Sequence, residues 1–460
     1  MSLRKILGVT VLGVTMATGA MSACSSTQRT SGFEPDSALP DAQTFDEVST
    51  TKDGPLLIDD DAKARNECEA GSETRITGKV YDPAGRNPLY NVQVFVPSGP
   101  LPEIKSGAQC VTCDSEVLNP IAAGLTNTKG EFELKSPKLL PGKDVPLVIQ
   151  VGKWRRKFVI PEVKACDANP LKDKDIRLPK NGQEGDMPEI AVTSGGCDAL
   201  ECFLRGIGID DKEFEAGDDP TVSGHVHIFA GTGGAGAVNG KPPPPAQTVW
   251  NNPTELAKYD IVALSCECDE YNNTKTYLNA MRDYANAGGR VFSTHYHYTW
   301  IKNNQYSEWN GLLKWVRPSN PPPVGTDSNP YKLNTSFPKG QALSDWLYEV
   351  GGTRRAGEIT LNTIRTSSYG LTSGSPVLPW VANDDYVKYV SFNTPLGEPV
   401  AKQCGRFIFT DIHANDVAGS GAFPGRCGAR PTDAETALEF FFFDLSSCVQ
   451  DDKVVPKPPT

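Results

Sequence analysis

The chain has 460 residues, with 45 basic and 56 acidic side chains, and its formal net charge is −11 at pH 7. A surface with this charge repels the phosphates of nucleic acids and of anionic lipids, so the composition argues against nucleic acid as a partner. The length exceeds what one hydrophobic core usually supports, which predicts two domains plus connecting segments.

The first residues have the pattern of an export signal. Two basic residues precede an apolar run over 6–20, and small residues then lead to Cys24. This arrangement predicts a signal peptide over 1–23. The sequence Met-Ser-Ala-Cys resembles the lipobox of bacterial lipoproteins, which implies that Cys24 is lipidated. By the same resemblance, a serine rather than an aspartate after the cysteine favours anchoring to the outer membrane.

A change in composition divides the next part of the chain. Residues 24–73 are rich in Ser, Thr, Asp and Gly, which predicts a flexible tether. Short runs that alternate apolar and polar residues follow over 74–178, and about seven such strands predict a β-sandwich. The segments GKVYDPAGRNPLYNVQVFV and TNTKGEFEL resemble the carboxypeptidase regulatory-like, transthyretin-like domain. That resemblance implies a prealbumin-like sandwich that serves as a spacer or binding module.

Cysteines in an exported chain are expected to form disulfides. Four cysteines of the predicted sandwich would form two disulfides with three possible connectivities: Cys68, Cys110, Cys113 and Cys166. A redox role for the Cys-x-x-Cys pair is the alternative, and it is less favoured because neither flank begins a helix.

Seven further cysteines lie in the second part of the chain, so at least one thiol remains unpaired if Cys24 is lipidated. Cys404 and Cys427 bracket a glycine-rich loop, which predicts a disulfide between them. An unpaired Cys266 would be the most informative outcome, because this residue follows a predicted strand.

After a polar hinge at 179–188, strands alternate with helices, which predicts an α/β three-layer domain with a mostly parallel sheet over 186–448. The segments YDIVALSCECDE, YANAGGRVFSTHYHY and GRFIFTDIHAND resemble class I glutamine amidotransferase-like, flavodoxin-like α/β domains. Residues 301–400 have no counterpart in that resemblance and are expected to form an insertion with some β structure. Residues 449–460 are expected to form a disordered tail.

Polar side chains follow the predicted parallel strands, and ligands of open parallel sheets bind beyond the carboxyl ends of such strands. One hypothesis makes Cys266 a nucleophile with His413 or His295 as its base, while Glu267 or Asp411 orients the imidazole. The amidotransferase resemblance implies a cysteine nucleophile as well.

The sequence departs from the motif of that family at the cysteine. Leu264 and Cys268 stand where the family has glycines, and no carboxylate follows His413 by two residues. The resemblance alone therefore does not carry catalysis over to this chain.

A metal site is the second hypothesis. His295 and His297 are two residues apart, which would place both imidazoles on one face of a strand. With His413 they would supply three ligands, and zinc is the ion that such ligands suit. The same spacing occurs again at His225 and His227.

The third interpretation is an amphipathic wall for packing or recognition, because aromatic rings with polar tips suit half-buried surfaces. Its members would be His295, Tyr296, His297, Tyr298 and Trp300. The sequence favours this interpretation, and with it a non-catalytic cell-surface lipoprotein without a cofactor that binds a protein, peptide or carbohydrate or acts as a scaffold. The alternative is a Cys/His or zinc-dependent hydrolase.

Overall fold

The computed structural model describes residues 68–69, 72–113, 119–217, 223–316, 329–361, 364–414, 421–428 and 433–458. All of them belong to one unit of the chain, Gly54–Thr460. The expected signal peptide, Cys24 and nearly all of the expected tether lie outside the described residues. Among the described helices, none combines the length and the apolar composition that crossing a bilayer requires.

The first part of the molecule consists of six antiparallel strands. They are β1 (Arg75–Lys79), β2 (Gln93–Val96), β3 (Ala122–Leu125), β4 (Glu131–Lys135), β5 (Gly142–Val151) and β6 (Trp154–Val163). β1 pairs with β4, and the other four form a sheet in the order β3-β2-β5-β6. Along β4, Phe132 and Leu134 are buried while Glu133 and Lys135 are exposed, which is the two-residue alternation of a strand with one face on the core.

The second part contains a twelve-stranded mixed sheet. Its parallel strands are β7 (Ile190–Ser194), β8 (Phe214–Ala216), β9 (Val226–Ala230), β11 (Ile261–Leu264), β12 (Arg290–Thr294) and β19 (Gly405–Thr410). They lie side by side in the order β8-β9-β7-β11-β12-β19. All residues of β7, β11, β12 and β19 are buried, as expected for parallel strands covered on both faces.

The segment expected as an insertion extends this sheet. It supplies β13 (Leu313–Trp315), β14 (Tyr331–Leu333), β15 (Glu358–Ile359), β16 (Ser368–Leu371), β17 (Leu378–Ala382) and β18 (Val387–Thr394). β18 pairs antiparallel with β19, and β17, β14 and β15 follow outward. β10 (Ala237–Val238) and β20 (Ala422–Phe423) form a separate parallel pair. The predicted mixture of helices with several sheets is confirmed, whereas the specific sandwich and three-layer arrangements stay predictions.

Eight α-helices occur among the described residues. They are α1 (Leu200–Gly206), α2 (Gln247–Trp250), α3 (Pro253–Leu256), α4 (Ala280–Asn286), α5 (Thr299–Lys302), α6 (Ser307–Asn310), α7 (Pro338–Glu349) and α8 (Asp433–Ser446). Helix α8 joins the core of the two parts, because Phe443 contacts Trp154 of β6 while Phe442 contacts Phe292 of β12. Burial of both aromatic rings gives the junction a hydrophobic core.

Disulfides connect the two parts of the chain. Cys110 is bonded to Cys404, and Cys113 to Cys448. The prediction that the first four cysteines pair among themselves is therefore wrong, although Cys68 does pair with one of them, Cys166. The reason is that the segment before Cys113 leaves the first part and runs along the second.

The remaining disulfides lie within the second part. Cys197 is bonded to Cys268, and Cys202 to Cys427. The predicted Cys404–Cys427 disulfide is wrong, since both residues have other partners. Cys266 alone among the described cysteines is outside a disulfide, and it is buried. The several disulfides are those of an exported protein.

The residues that follow Cys448 do not match the expected disordered tail. Val449 forms a bridge with Thr112. Asp452 is buried, and its carboxylate lies 2.6 Å from Arg406 Nη1 and 2.9 Å from Lys339 Nζ. The ion pairs and the adjacent disulfide fix this segment against the α/β part.

Candidate functional site

The candidate site lies where three neighbouring parallel strands end. β11, β12 and β19 are adjacent in the sheet. Cys266 comes two residues after β11, His295 directly after β12, and His413 three residues after β19. Because adjacent strands are about 4.8 Å apart, side chains at the same end of the three strands come within reach of one another.

A threonine holds the end of β11 to the end of β12. The Thr294 hydroxyl accepts a hydrogen bond from the Cys266 amide at 2.9 Å and donates one to the Leu264 carbonyl at 3.1 Å. On the other side, the Cys266 carbonyl accepts from the Cys197 amide at 3.0 Å. Gly195 is required there, since a Cβ at this position would lie 2.1 Å from the Cys266 carbonyl oxygen. The cysteine is therefore fixed by backbone contacts on both sides.

The thiol of Cys266 contacts an imidazole. Its Sγ atom lies 3.3 Å from Nδ1 of His295. The chain leaves β12 at His295 with a φ of 36°, a left-handed conformation, and begins a 3-10 turn over His295–Tyr298. A non-glycine residue with this φ is uncommon, and such residues occur often at functional sites.

His413 completes the group. The ligand atoms of Cys266, His295 and His413 all lie within 4.8 Å of one another, and the two imidazole rings have their centroids 5.3 Å apart. This Cys/His/His group could bind a metal ion. Cys266 and His413 are 0% exposed, and His295 is buried over most of its surface.

The electrostatic surroundings keep His295 neutral. Burial, together with the positive fields of His413, Arg365 and Lys388, holds the pKa of His295 well below its usual range. A neutral imidazole is the form that binds a metal ion or accepts a proton.

Two buried carboxyl groups interact electrostatically with His413. The Asp411 carboxylate accepts hydrogen bonds from the Ser367 hydroxyl at 2.6 Å and the Ser367 amide at 2.7 Å. Burial raises the pKa of Asp411, against the opposing effects of Lys388 and His413. Burial also raises the pKa of Asp198 to about 6, with His413 again opposing. The strand-end pattern of the sequence pointed to Asp411 but not to Asp198, which follows β7 by four residues.

Glu267 lies outside the Cys/His/His group. Its carboxylate lies 2.8 Å from Lys275 Nζ and accepts a hydrogen bond from the Thr232 amide at 2.8 Å. Both charged groups are almost fully buried, at 2% and 1% exposure. Glu267 therefore neutralises Lys275 and does not orient His413.

His297 is not brought into the Cys/His/His group. Its Nε2 donates to the Ser265 carbonyl at 2.9 Å, and its Nδ1 accepts from Trp300 Nε1 at 3.2 Å. Burial lowers the pKa of His297 to about 3, so the ring is neutral with the proton on Nε2. His295 and His297 do not share a face as expected, because residues 295–298 form a 3-10 turn rather than a strand.

The aromatic residues of the expected wall are mostly interior. Trp300 is 0% exposed and packs against Trp250. Tyr298 is 7% exposed and donates to Glu270 at 2.6 Å. Tyr296 is half-buried and stacks near His295, with ring centroids 4.0 Å apart. Of these three aromatic residues, only Tyr296 has a substantial exposed surface beside the Cys/His/His group.

The second His-x-His motif pairs with acidic residues. His225 Nδ1 lies 2.6 Å from Glu213, and His227 Nε2 lies 3.2 Å from Glu215 and 3.3 Å from Glu189. Burial lowers the pKa values of both histidines, but the carboxylates more than offset it and the pKa values are raised. These histidines form ion pairs at the start of β9.

No protein family, curated protein or solved structure matches the chain. The site is therefore interpreted from its own geometry. Two of its charged neighbours, Arg365 and Lys388, come from the segment expected as an insertion, and no sequence pattern pointed to them. Lys388 Nζ donates to the Arg365 carbonyl at 2.7 Å, and the Arg365 amide donates to the Asp411 carbonyl at 2.9 Å.

Proposed function

We propose that the protein is an exported zinc-dependent hydrolase whose metal ion is bound by Cys266, His295 and His413. One observation carries this proposal: the described cysteine that is outside a disulfide lies with its Sγ 3.3 Å from a neutral imidazole, in a group with a second histidine. In a tetrahedral zinc site with bonds of about 2.3 Å to sulfur and 2.0 Å to nitrogen, the two ligand atoms are about 3.5 Å apart. The observed separation is close to that value.

Three protein ligands are the number that catalytic zinc sites use. Structural zinc sites have four protein ligands, whereas catalytic sites leave a fourth position for water or substrate. A zinc ion in such a site supplies a hydroxide at neutral pH by lowering the pKa of its bound water to about 7. Cys266, His295 and His413 would hold the ion, and the net reaction would add water across an ester bond to give a carboxylate and an alcohol.

Burial of Cys266 favours a metal ligand over a nucleophile. The thiol is 0% exposed, and a nucleophilic sulfur needs an approach path for the substrate carbonyl. A metal ligand needs no such path, because the substrate approaches the ion. The half-buried residues His295 and Tyr296 mark the side from which a substrate would approach.

The strand order supports the proposed class of fold. Numbered along the chain with the short edge strand β8 set aside, β9, β7, β11, β12 and β19 follow the order 2-1-3-4-5 of flavodoxin-like sheets, and ligands of such sheets bind at the carboxyl ends of the strands. The α/β part is proposed to be related to amidotransferase-like domains, and the first part to transthyretin-like domains. We further propose that Cys24 anchors the protein to the outer membrane by its lipid.

Elemental analysis of the purified mature protein tests the metal site. We expect stoichiometric zinc that is lost in Cys266→Ser, His295→Ala and His413→Ala. The matched control is His225→Gln, which alters a histidine outside the group and should retain the zinc. His297→Gln should also retain it, because both nitrogens of that ring are used within the protein.

Hydrolysis of 4-nitrophenyl acetate tests the reaction. We expect release of nitrophenol that stops when zinc is removed by dipicolinate and returns when zinc is added. Zinc binding without hydrolysis would remove the enzymatic part of the proposal. No metal and no hydrolysis would favour the other candidate, a non-catalytic surface lipoprotein that binds a protein, peptide or carbohydrate or acts as a scaffold.

A further inference from the structure

A cavity of about 340 Å³ lies between the first part and the α/β part. Its wall includes Ile261 and Arg290, the first residues of β11 and β12. Cys266 and His295 follow the last residues of the same strands, so the cavity is at the opposite edge of the sheet. It is a separate feature from the Cys/His/His group, and its volume is within the range of small-molecule sites.

The walls of this junction cavity are held at a fixed distance. A Cβ on Gly152 would lie 1.8 Å from the Ser446 carbonyl oxygen, and a Cβ on Gly288 would lie 2.1 Å from that of Gln109. Both glycines have positive φ values, 56° and 113°. Cys448, in the wall, is also disulfide-bonded across the junction. The cavity is therefore preformed, which reduces the ordering that a ligand would have to impose.

The charge of the wall is opposite to that of the chain. Four cationic residues line the cavity, against two acidic ones: Lys105, Lys153, Arg155 and Arg290, against Glu103 and Asp260. The complete chain has a net charge of −11. Asp186, which pairs with Arg155, offsets one more of these charges and leaves the recess one net positive charge. A positively charged recess in an acidic protein concentrates anions.

Arg155 is suited to hold an anion. Its side chain is 5% exposed, and the guanidinium is fixed by Nε to Asp186 at 2.8 Å and by Nη1 to the Pro102 carbonyl at 2.8 Å. Nη2 makes no hydrogen bond within the described residues, and it is not among their fully enclosed polar atoms. Lys153 differs, because its Nζ is occupied by Asp260 and by the carbonyls of Lys105 and Gly107.

Two neutral polar groups in the wall lack partners in the described part of the chain. They are Trp154 Nε1, a donor, and Gln150 Oε1, an acceptor. Their side chains are buried, at 0% and 5% exposure. Both atoms are enclosed, so a molecule in the cavity would reach them only after a small movement of the two side chains. Buried polar groups are nearly always hydrogen-bonded, which favours such a movement. A ligand with hydroxyl groups would satisfy both, because a hydroxyl donates and accepts.

We propose that the junction cavity binds a small hydroxylated carboxylate with the size of a sugar acid. Its carboxylate binds Arg155, and its hydroxyl groups bind Gln150 and Trp154 after a small adjustment of these side chains. This site does not depend on the proposed zinc hydrolase, and no bond is made or broken in it.

Calorimetric titration of the mature protein with three sugars of similar size tests the charge and the chemical class of the ligand. Glucuronate, glucose and glucosamine share the pyranose ring and are negative, neutral and positive. We expect saturable binding of glucuronate, glucose binding that is weaker by about tenfold or more, and no binding of glucosamine. Absence of glucuronate binding, or equal binding of glucuronate and glucose, would overturn the proposal.

Substitutions at three adjacent positions of β6 test whether glucuronate binds in the junction cavity. Arg155→Lys should weaken glucuronate binding about tenfold, since lysine keeps the charge and loses the Nη2 donor that the other two contacts hold in place. Trp154→Phe, which removes the indole donor and part of the ring and keeps an aromatic side chain, should weaken glucuronate binding severalfold and gives a second test if the arginine variant misfolds. The matched control is Arg156→Lys, at the next position of β6, where the guanidinium faces Glu184 instead. Unchanged glucuronate binding in both test variants would contradict the assignment.

Discussion

The Sγ atom of Cys266 lies 3.3 Å from Nδ1 of His295, and this contact joins the ends of two adjacent parallel strands. Cys266 carries the one free thiol among the described cysteines, because the others are in disulfides. Its protection comes from burial rather than from oxidation.

Burial predicts a thiol that reacts only after unfolding. In metal-free protein that carries Cys24→Ser, we expect Ellman's reagent to label Cys266 about two orders of magnitude more slowly in buffer than in denaturant. A Tyr348→Cys variant supplies an exposed reference thiol, since that position is 60% exposed. Labelling of the native protein as fast as the reference would contradict the enclosed site.

The segment after Cys448 is expected to contribute strongly to stability. Asp452 forms a buried network with Arg406 and Lys339, in which the charged side chains are 8%, 3% and 1% exposed. Asp452→Asn leaves excess positive charge in the interior and should lower the free energy of unfolding by about 3 kcal/mol. Urea denaturation measures this change in the free energy of unfolding. The control, Asp451→Asn, alters a neighbouring carboxyl outside the network and should change the value by less than about 0.5 kcal/mol.

Asp82 and Glu439 predict a stability that falls as the pH rises. The two buried carboxyl groups interact, and burial raises the pKa of Asp82 to about 6 and that of Glu439 well above its usual range. Raised pKa values of acids mean that the folded state holds protons that the unfolded state releases. The stabilisation is complete below pH 4 and is lost as the pH rises through 6 and beyond.

Glu439→Gln removes the part of this pH dependence that comes from Glu439. The amide replaces the protonated carboxyl, so the variant should gain about 2 kcal/mol relative to the unaltered protein between pH 5 and pH 8. Urea denaturation at the two pH values measures the difference. Glu349→Gln, at an exposed position of α7, should show no such gain. A gain of equal size in both variants would refute the role of the buried pair.

The ion pairs of His225 and His227 predict that the stability of the fold also falls as the pH rises, over a higher pH range. Neighbouring carboxylates raise the pKa values of both histidines above 6.5 despite burial. Their contribution to stability is complete below pH 6.5 and disappears as the pH rises through the raised values. His227→Gln should therefore destabilise the protein at pH 6 and have a much smaller effect at pH 9. An effect that grows with pH would show that the ring is buried in its neutral form.

The sequence predicted the ends of the parallel strands well enough to bring Cys266, His295 and His413 together. Hydrophobic runs bounded by polar residues carry that information, because a buried strand must be apolar throughout. The role of His297 was not predictable, since one residue with a left-handed φ at His295 ends the strand and changes the direction of the next side chains. Asp198 follows a glycine turn, and no spacing rule assigns its distance to His413.

The long-range pairings of cysteines and of strands could also not be predicted from the sequence. Cys110 and Cys404 are separated by 294 residues, and their contact depends on how the two parts dock. The antiparallel strands contributed by residues 313–394 pair across short runs interrupted by prolines and bulges. Local alternation is weak in such runs, so neither their partners nor the proximity of Arg365 to the site followed from the pattern.

The two disulfides across the junction also determine how the protein would respond to mechanical force. Cys113 and Cys448 are 335 residues apart along the chain and directly bonded. Tension applied between the beginning and the end of the described chain passes through this bond. The residues between Cys113 and Cys448 therefore carry no load. At about 3.5 Å per residue, more than a thousand ångströms of chain is withheld from extension. A protein held at a cell surface near its beginning and loaded at its end would thus keep the twelve-stranded sheet and the Cys/His/His group intact until the disulfides are reduced.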